Sequence, residues 1–477
     1  MSDRRLPRKL ALLFSTLFAL VSAIADSRGD LHRVQVLVDK GHYRQARTRI
    51  QQLLDQSQPE KTRHQLLFEA ERMRRIEKEF TLREKDLAAA IRHYIPDASE
   101  EDIRRWNSEG LLENKVIDGE RRYFHKAASN LLQVSAEAAR RSGNFRGFAD
   151  GAPLYGIHPH HREVIGSAAP VRKRIRVDYT LSVDAGAVPA GETIRAWLPF
   201  PQELPGRQEN IELLEHSPAD YELAPAGTPQ RTIHFERRAS AEGPTEFSIS
   251  YRFDSIARFT PVDPQRVETP PASAALADFL AERPPHIRFT PELRALSQRI
   301  VGDERNPYRI AQKLFAYVDS IPWAGAREYS TIRNISQYAA EAGHADCGQQ
   351  TLLLITLMRL NGIPARWQSG WEFSPQSFDT MHDWGEFHLA PYGWLPMDVT
   401  HGLLAGDSER ENWFYLGGLD AYRLIFNTDY GRPFVPAKQH FRSETVDSQR
   451  GEVEWRGGNL YFDQWRYRLD WQLVEAE

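Results

Sequence analysis

The chain has 477 residues, with 61 Lys and Arg against 65 Asp and Glu, for a formal net charge of −4. That length allows two to four domains at about 100–200 residues each. The mixed, near-neutral charge gives no electrostatic footing for nucleic acid. A single cysteine, Cys347, excludes an internal disulfide.

In chain order, Arg4, Arg5, Arg8 and Lys9 precede an apolar run from Leu10 to Ala25 that closes on Ala23-Ile24-Ala25. A basic start, a short apolar stretch and a small-residue end predict a cleavable secretory signal over 1–25, too short for a membrane span. No comparable run recurs, so the mature chain is expected to be periplasmic or secreted, without stable membrane insertion. In an oxidising compartment a lone thiol is a liability unless it is used.

Residues 26–150 read as a helical region. Val34, Leu37, Ala46, Ile50 and Leu53 recur at three- and four-residue steps around Lys40-Gly41-His42, which predicts a helical hairpin. Ser99 with Asp102 marks a helix start, and Asp118-Gly119 a β-hairpin turn. Helices followed by a hairpin look winged-helix-like, but export and mixed charge argue against DNA, and an interaction module is expected. His158, His160 and His161 read as a linker rather than metal ligands, because no spaced second ligand pair accompanies them.

From Arg172 the period becomes two: Ile175, Val177, Tyr179 and Leu181 alternate with polar residues, as do Phe247, Ile249, Tyr251 and Phe253. Short strands separated by Gly, Pro and Asp turns predict a β-sandwich over 170–262. Residues 274–440 are expected to form the chemical core. Val453, Trp455, Leu460, Trp465 and Leu469 predict a terminal hairpin over 441–477, packed on that core.

Cys347 stands in Ala-Asp-Cys-Gly-Gln-Gln, ahead of TLLLITLMRL and the stop signal Asn361-Gly362-Ile363-Pro364. With Asp346 as N-cap, the thiol lies at the positive end of a buried helix, where thiolate is favoured over thiol. Downstream, Met381–Leu389 forms a strand with His382, Trp384 and Glu386 on one face. Pro391-Tyr392-Gly393 turns, and Trp394 to Thr400 returns. A tight turn is expected to set Glu386 across from Asp398, and a wider one to bring His382 nearer.

Asp346-Cys347, the apolar helix, Gly362-Ile363-Pro364-Ala365-Arg366, His382-x-Trp384-x-Glu386 and Gly393-Trp394-x-x-x-Asp398-x-Thr400 together resemble the transglutaminase-like superfamily, a branch of the papain-like cysteine-nucleophile enzymes. The resemblance covers roughly residues 300–405. It implies an α+β fold, a transglutaminase-like (papain-like) core with an antiparallel sheet, here preceded by the sandwich and the helical region. It makes Cys347 the nucleophile, His382 its general base and acid, and Asp398 the group that orients the imidazole. The Cys347 N–H supplies one oxyanion donor, with Trp323 or Gln337 as candidates for a second.

Trp384 and Trp394 are candidate cleft walls, although cross-strand packing accounts for both. Asp383 stands where the family often has a small residue and is read as structural, facing away from His382. His344 and His401 read as loop histidines. The expected activity is cleavage or transfer of an amide acyl group through a thioester, with hydrolysis favoured, on a protein or peptide that could belong to the cell envelope. No metal or cofactor is expected. The alternatives are a non-catalytic binding or scaffolding protein that keeps the fold, and a metal hydrolase using His382, His388, His401 and Asp398.

Overall fold

The computed structural model describes residues 29–143, 155–268, 273–374 and 379–475. The predicted signal over 1–25 lies outside them. The chain divides into two compact units, Met1–Leu131 and Leu132–Glu477.

In the first unit, helices α1 (29–39) and α2 (Tyr43–Leu54) form a hairpin at Gly41, followed by α3 (Glu60–Glu79), α4 (Glu84–Tyr94) and α5 (Glu100–Ser108). Ser99 caps α5 through a reciprocal box with Asp102. Strands β1 (Asn114–Ile117) and β2 (Glu120–Tyr123) pair across Asp118-Gly119. Gly41 has a φ of +76°, and a Cβ there would stand 1.9 Å from the Val116 carbonyl oxygen, so only glycine lets the hairpin lie this close.

The second unit is a sandwich joined to a mixed core. Strand β3 (Val171–Val183) pairs along its whole length with a long partner, β8 (Thr245–Phe259). Between them come β4 (Thr193–Pro199), β5 (Gln208–Ser217), β6 (Glu222–Leu223) and β7 (Thr232–Arg238). Two five-stranded sheets result, and Ile175, Val177, Ala196, Phe235 and Tyr251 fill the space between them.

A C-terminal hairpin forms, but the expectation that it packs on the core is corrected here. The segment forms three strands that follow those of the core, β14 (Glu452–Trp455), β15 (Gly458–Leu460) and β16 (Trp465–Leu473). β14 pairs with β4 and β16 with β3, so the chain end completes both sandwich sheets. Unpaired edge strands are the reason: each offers a row of backbone donors and acceptors that the returning chain satisfies. The core still meets this segment through side chains, for Phe373 stacks on Trp471 at 4.8 Å.

The core sheet has four antiparallel strands. β9 (Ala365–Phe373) lies between β10 (Asp379–Leu389) and β13 (Arg423–Asn427), and β11 (Gly393–Met397) flanks β10; a short strand, β12 (Gly418–Leu419), joins the sandwich. Helix α6 (Cys347–Leu360) is buried from Gly348 to Arg359, as a helix apolar all round must be. It packs with Leu314, Phe315, Ile335, Phe387 and Leu395 in one apolar cluster.

One half-buried acid of this core gives a stability prediction. Burial pushes the Asp319 carboxyl up to about 6, against a backbone hydrogen bond from Leu403 N at 3.2 Å. An acid raised in the folded state contributes stability below its unfolded value of 3.8 and loses it as pH rises through 6. Asp319→Asn keeps the acceptor without the charge. It is expected to raise the Tm at pH 7 and leave it unchanged at pH 3, which thermal scans at the two pH values check.

Candidate active site

Asp346 opens α6 as its N-cap: its carboxylate accepts from Gln349 N at 3.0 Å, and Gln349 Oε1 accepts from Asp346 N at 3.3 Å. Tyr329 OH donates to the same carboxylate at 3.0 Å. Cys347 therefore occupies the first helical position, partly buried.

The electrostatics there differ from the expectation of a stabilised thiolate. Cys347 Sγ donates to Asp383 Oδ2 at 3.4 Å. Burial, then the carboxylates of Asp383 and Asp346, push the thiol well above its ordinary value. The half-charge of a helix N-terminus is outweighed by desolvation and two acids. Asp383 does face away from His382, but that direction brings it onto the nucleophile candidate, so it is not merely structural. No hydrogen bond joins Cys347 to His382 among the described residues.

His382 lies on the opposite face of β10. Strands β10 and β11 pair with Leu389 opposite Gly393 and Gly385 opposite Met397. Continuing that register sets Asp398 across from Trp384, not Glu386, and places it diagonally from His382 on the same face. His382 Nε2 meets Asp398 Oδ2 at 2.9 Å. Its other ring nitrogen, Nδ1, makes no hydrogen bond to a described residue.

Asp398 is fully buried and lies 2.8 Å from Arg423 Nη1. Burial alone would raise its carboxyl, but His382 and Arg423 hold it well below the usual carboxylate range. Arg423 also reaches Asp420 Oδ2 at 3.0 Å. Glu372 Oε1 lies 2.7 Å from His401 Nε2, and Glu372 Oε2 lies 3.7 Å from His382 Nε2. His401 stands in the turn after Asp398, as a loop histidine would, but it is ion-paired there and belongs to the network. Although its burial works the other way, Glu372 and Asp398 raise it.

A cavity of about 250 Å³ opens beside this network, lined by Tyr155, Glu372, His401, Tyr415 and Asp420 among others. His158, His160 and His161 also line it, so they are part of its wall rather than a linker. Glu372, His382 and His401 bring one ligand atom each within 4.8 Å of one another, so they could meet a divalent ion. Arg423, 3.7 Å from Glu372 and 2.8 Å from Asp398, already supplies positive charge there. His388 lies six residues from His382 along the strand, about 20 Å at roughly 3.3 Å per residue, and packs edge-on against Trp394.

The secondary candidates separate. Trp323 is 39% exposed, and its backbone is bridged to Ala345, two residues before Cys347. Its indole N–H has no hydrogen-bond partner among the described residues. Gln337 is not poised as an oxyanion donor: its Oε1 accepts from Thr290 Oγ1 at 2.6 Å and its amide nitrogen donates to Glu341. Trp384 lies 5.9 Å from the His382 ring but is fully buried, with its indole donating to Gln368 at 2.8 Å. It supports His382 and is not an open wall. Trp394 packs against Phe279 and under Arg366, at the far end of the strand from His382.

Asp420 and Arg423 escaped the sequence reading. The signal was present: two charges within the run Leu419 to Phe426 must be paired if that run is buried.

Residues 294–399 match the model of the transglutaminase-like superfamily. This part of the chain is transglutaminase-like. A candidate cysteine protease from Cytophaga hutchinsonii is similar in structure, with 15% identity and a TM-score of 0.44 over 65% of this chain and 93% of that one. So is the periplasmic domain of TgpA from Pseudomonas aeruginosa, with 17% identity and a TM-score of 0.26 over 51% and 92%. No match was found among curated proteins. The transglutaminase-like segment holds Cys347, His382 and Asp398, while Arg423 and Asp420 lie beyond it.

Proposed function

We propose that this is an exported thiol enzyme that cleaves or transfers an amide acyl group, with Cys347 as nucleophile, His382 as base and acid, and Asp398 as the orienting carboxylate. The observation that carries the reading is the buried His382–Asp398 pair at 2.9 Å, with Nδ1 of the imidazole left open. A thiolate attacks the amide carbonyl, and imidazolium protonates the leaving amine to give a thioester. The same imidazole then takes a proton from water, or from an amine, as that second nucleophile attacks. The Cys347 N–H and the unpaired Trp323 indole are the oxyanion donors of this reading. Hydrolysis is favoured because water is always at hand in the periplasm. Export rests on the predicted signal and agrees with the described residues, in which no helix is long and apolar enough to cross a membrane. The substrate is a protein or peptide, cell-envelope material included.

A second reading has one observation in its favour. The thiol's hydrogen bond goes to Asp383 and not to His382, as it would in a binding protein that kept the fold. Turnover of a broad panel of peptide and isopeptide amides decides between them. Cys347-dependent turnover, lost in Cys347→Ala and unaffected by chelator, is the expected result. Chelator-sensitive turnover that survives Cys347→Ala would give the site to a metal, and no turnover at all would leave the binding protein.

A further inference from the structure

Asp383 is fixed more firmly than a surface-compatible carboxylate needs to be. It is 2% exposed. Its Oδ2 accepts from the Cys347 thiol at 3.4 Å and lies 3.2 Å from Tyr329 Oη, while Oδ1 accepts from Gln449 Nε2 at 2.9 Å. Gln449 also donates to the His382 carbonyl at 2.8 Å, which ties Asp383 to the strand that carries it. Gly348 closes the same space: a Cβ there would stand 2.2 Å from Tyr329 Oη and 2.5 Å from Asp383 Oδ2. The acceptor offered to the thiol is therefore rigid, and it stands on the face of β10 opposite His382.

We infer that Asp383 is a latch: it holds the Cys347 thiol in a resting orientation turned from His382, and the site becomes competent when the thiol is released to the open Nδ1. The inference rests on the proposed roles of Cys347 and His382. A thiol that donates to a carboxyl keeps its proton, whereas a thiol beside a neutral imidazole can pass it on. Asp383 is accordingly a positioning residue that acts through Cys347.

The charged surroundings agree with a closed latch. Asp346 faces the thiol from the helix cap, and Tyr329 and Tyr155 lie on the other elements around it. Behind Asp383 stands Asp447, and burial together with that neighbour pushes the Asp383 carboxyl well up. Glu444 adds to this acid cluster, while Arg442 and Arg450 face it with positive charge.

Iodoacetamide alkylation of the full chain tests the latch without any substrate. In the wild type, His382→Gln is expected to change the rate at pH 7 by less than about twofold, because the resting thiol is not paired with the imidazole. Asp383→Ala is expected to alkylate at least tenfold faster at pH 7, with its pH midpoint moved down. The double variant Asp383→Ala/His382→Gln should lose that gain. A tenfold fall on His382→Gln alone would show the thiol already on its base and overturn the latch, whether or not Asp383→Ala folds. A folded Asp383→Ala with an unchanged pH profile would overturn it as well. Neither result depends on turnover, so loss of the latch and loss of the catalytic reading are told apart.

Discussion

Asp398→Ala is expected to lower kcat by on the order of 10⁴-fold, the scale on which removing the orienting carboxylate of a nucleophile–histidine–carboxylate triad acts. The carboxylate has two neighbours. His382 Nε2 lies 2.9 Å and Arg423 Nη1 2.8 Å from the same oxygen. Alanine removes the group that fixes the imidazole tautomer and leaves the guanidinium without one of its acids. Asp398→Asn is expected to lose as much. Thr400 N and His401 N both donate to Oδ1, at 3.3 and 3.5 Å, so the amide oxygen takes that side, its NH₂ group faces the imidazole, and the wrong tautomer is fixed. Steady-state kinetics on the two variants check this. A kcat near the wild-type value in either would remove Asp398 from its orienting role.

Arg423→Met should destabilise the fold by about 3–5 kcal/mol, the scale for breaking a buried ion pair from one side. Arg423 is 1% exposed and stands against Asp398, Asp420 and Glu372. Burial would raise Asp420 too, but Arg423 holds its carboxyl well below the usual range. Acids depressed in the folded state contribute stability that is present above their unfolded value of 3.8 and is lost as pH falls through the folded values. The wild type should therefore lose stability below about pH 4 as the unfolded carboxyls protonate. In Arg423→Met that loss is expected to shrink, because Asp420 is left without its guanidinium and is relieved by protonation, while Asp398 and Glu372 keep His382 and His401. Urea midpoints between pH 3 and 8 check this; parallel pH profiles for the two proteins would show that Arg423 does not compensate the acids.

Much of the site was legible because its residues sit in local patterns. Asp346, Cys347 and the apolar helix follow from capping and stop signals within sixteen residues. The pairing of His382 with Asp398 follows from strand alternation and a short turn, although the register needed the structure: three turn residues set Asp398 across from Trp384. What stayed hidden depends on contacts distant in sequence. Asp383 could be assigned a face by alternation but not a partner, because its neighbour Gln449 comes from a loop 66 residues further on. The thiol's charge state was misjudged for the same reason, since a helix N-terminus is visible in sequence and the acids folded onto it are not. The C-terminal strands showed their period but not their partners, which lie more than 250 residues away on β3 and β4.

The most direct test of the account is to find the acyl group on Cys347. The wild-type protein is mixed with a panel of activated esters and peptide amides, quenched in acid, and mapped by mass spectrometry. The predicted result is an acyl adduct on the Cys347 peptide that is cleared by hydroxylamine and absent from His382→Ala. Adducts confined to other residues, or a Cys347 that stays free with every member of the panel, would contradict the claim that this thiol does the chemistry.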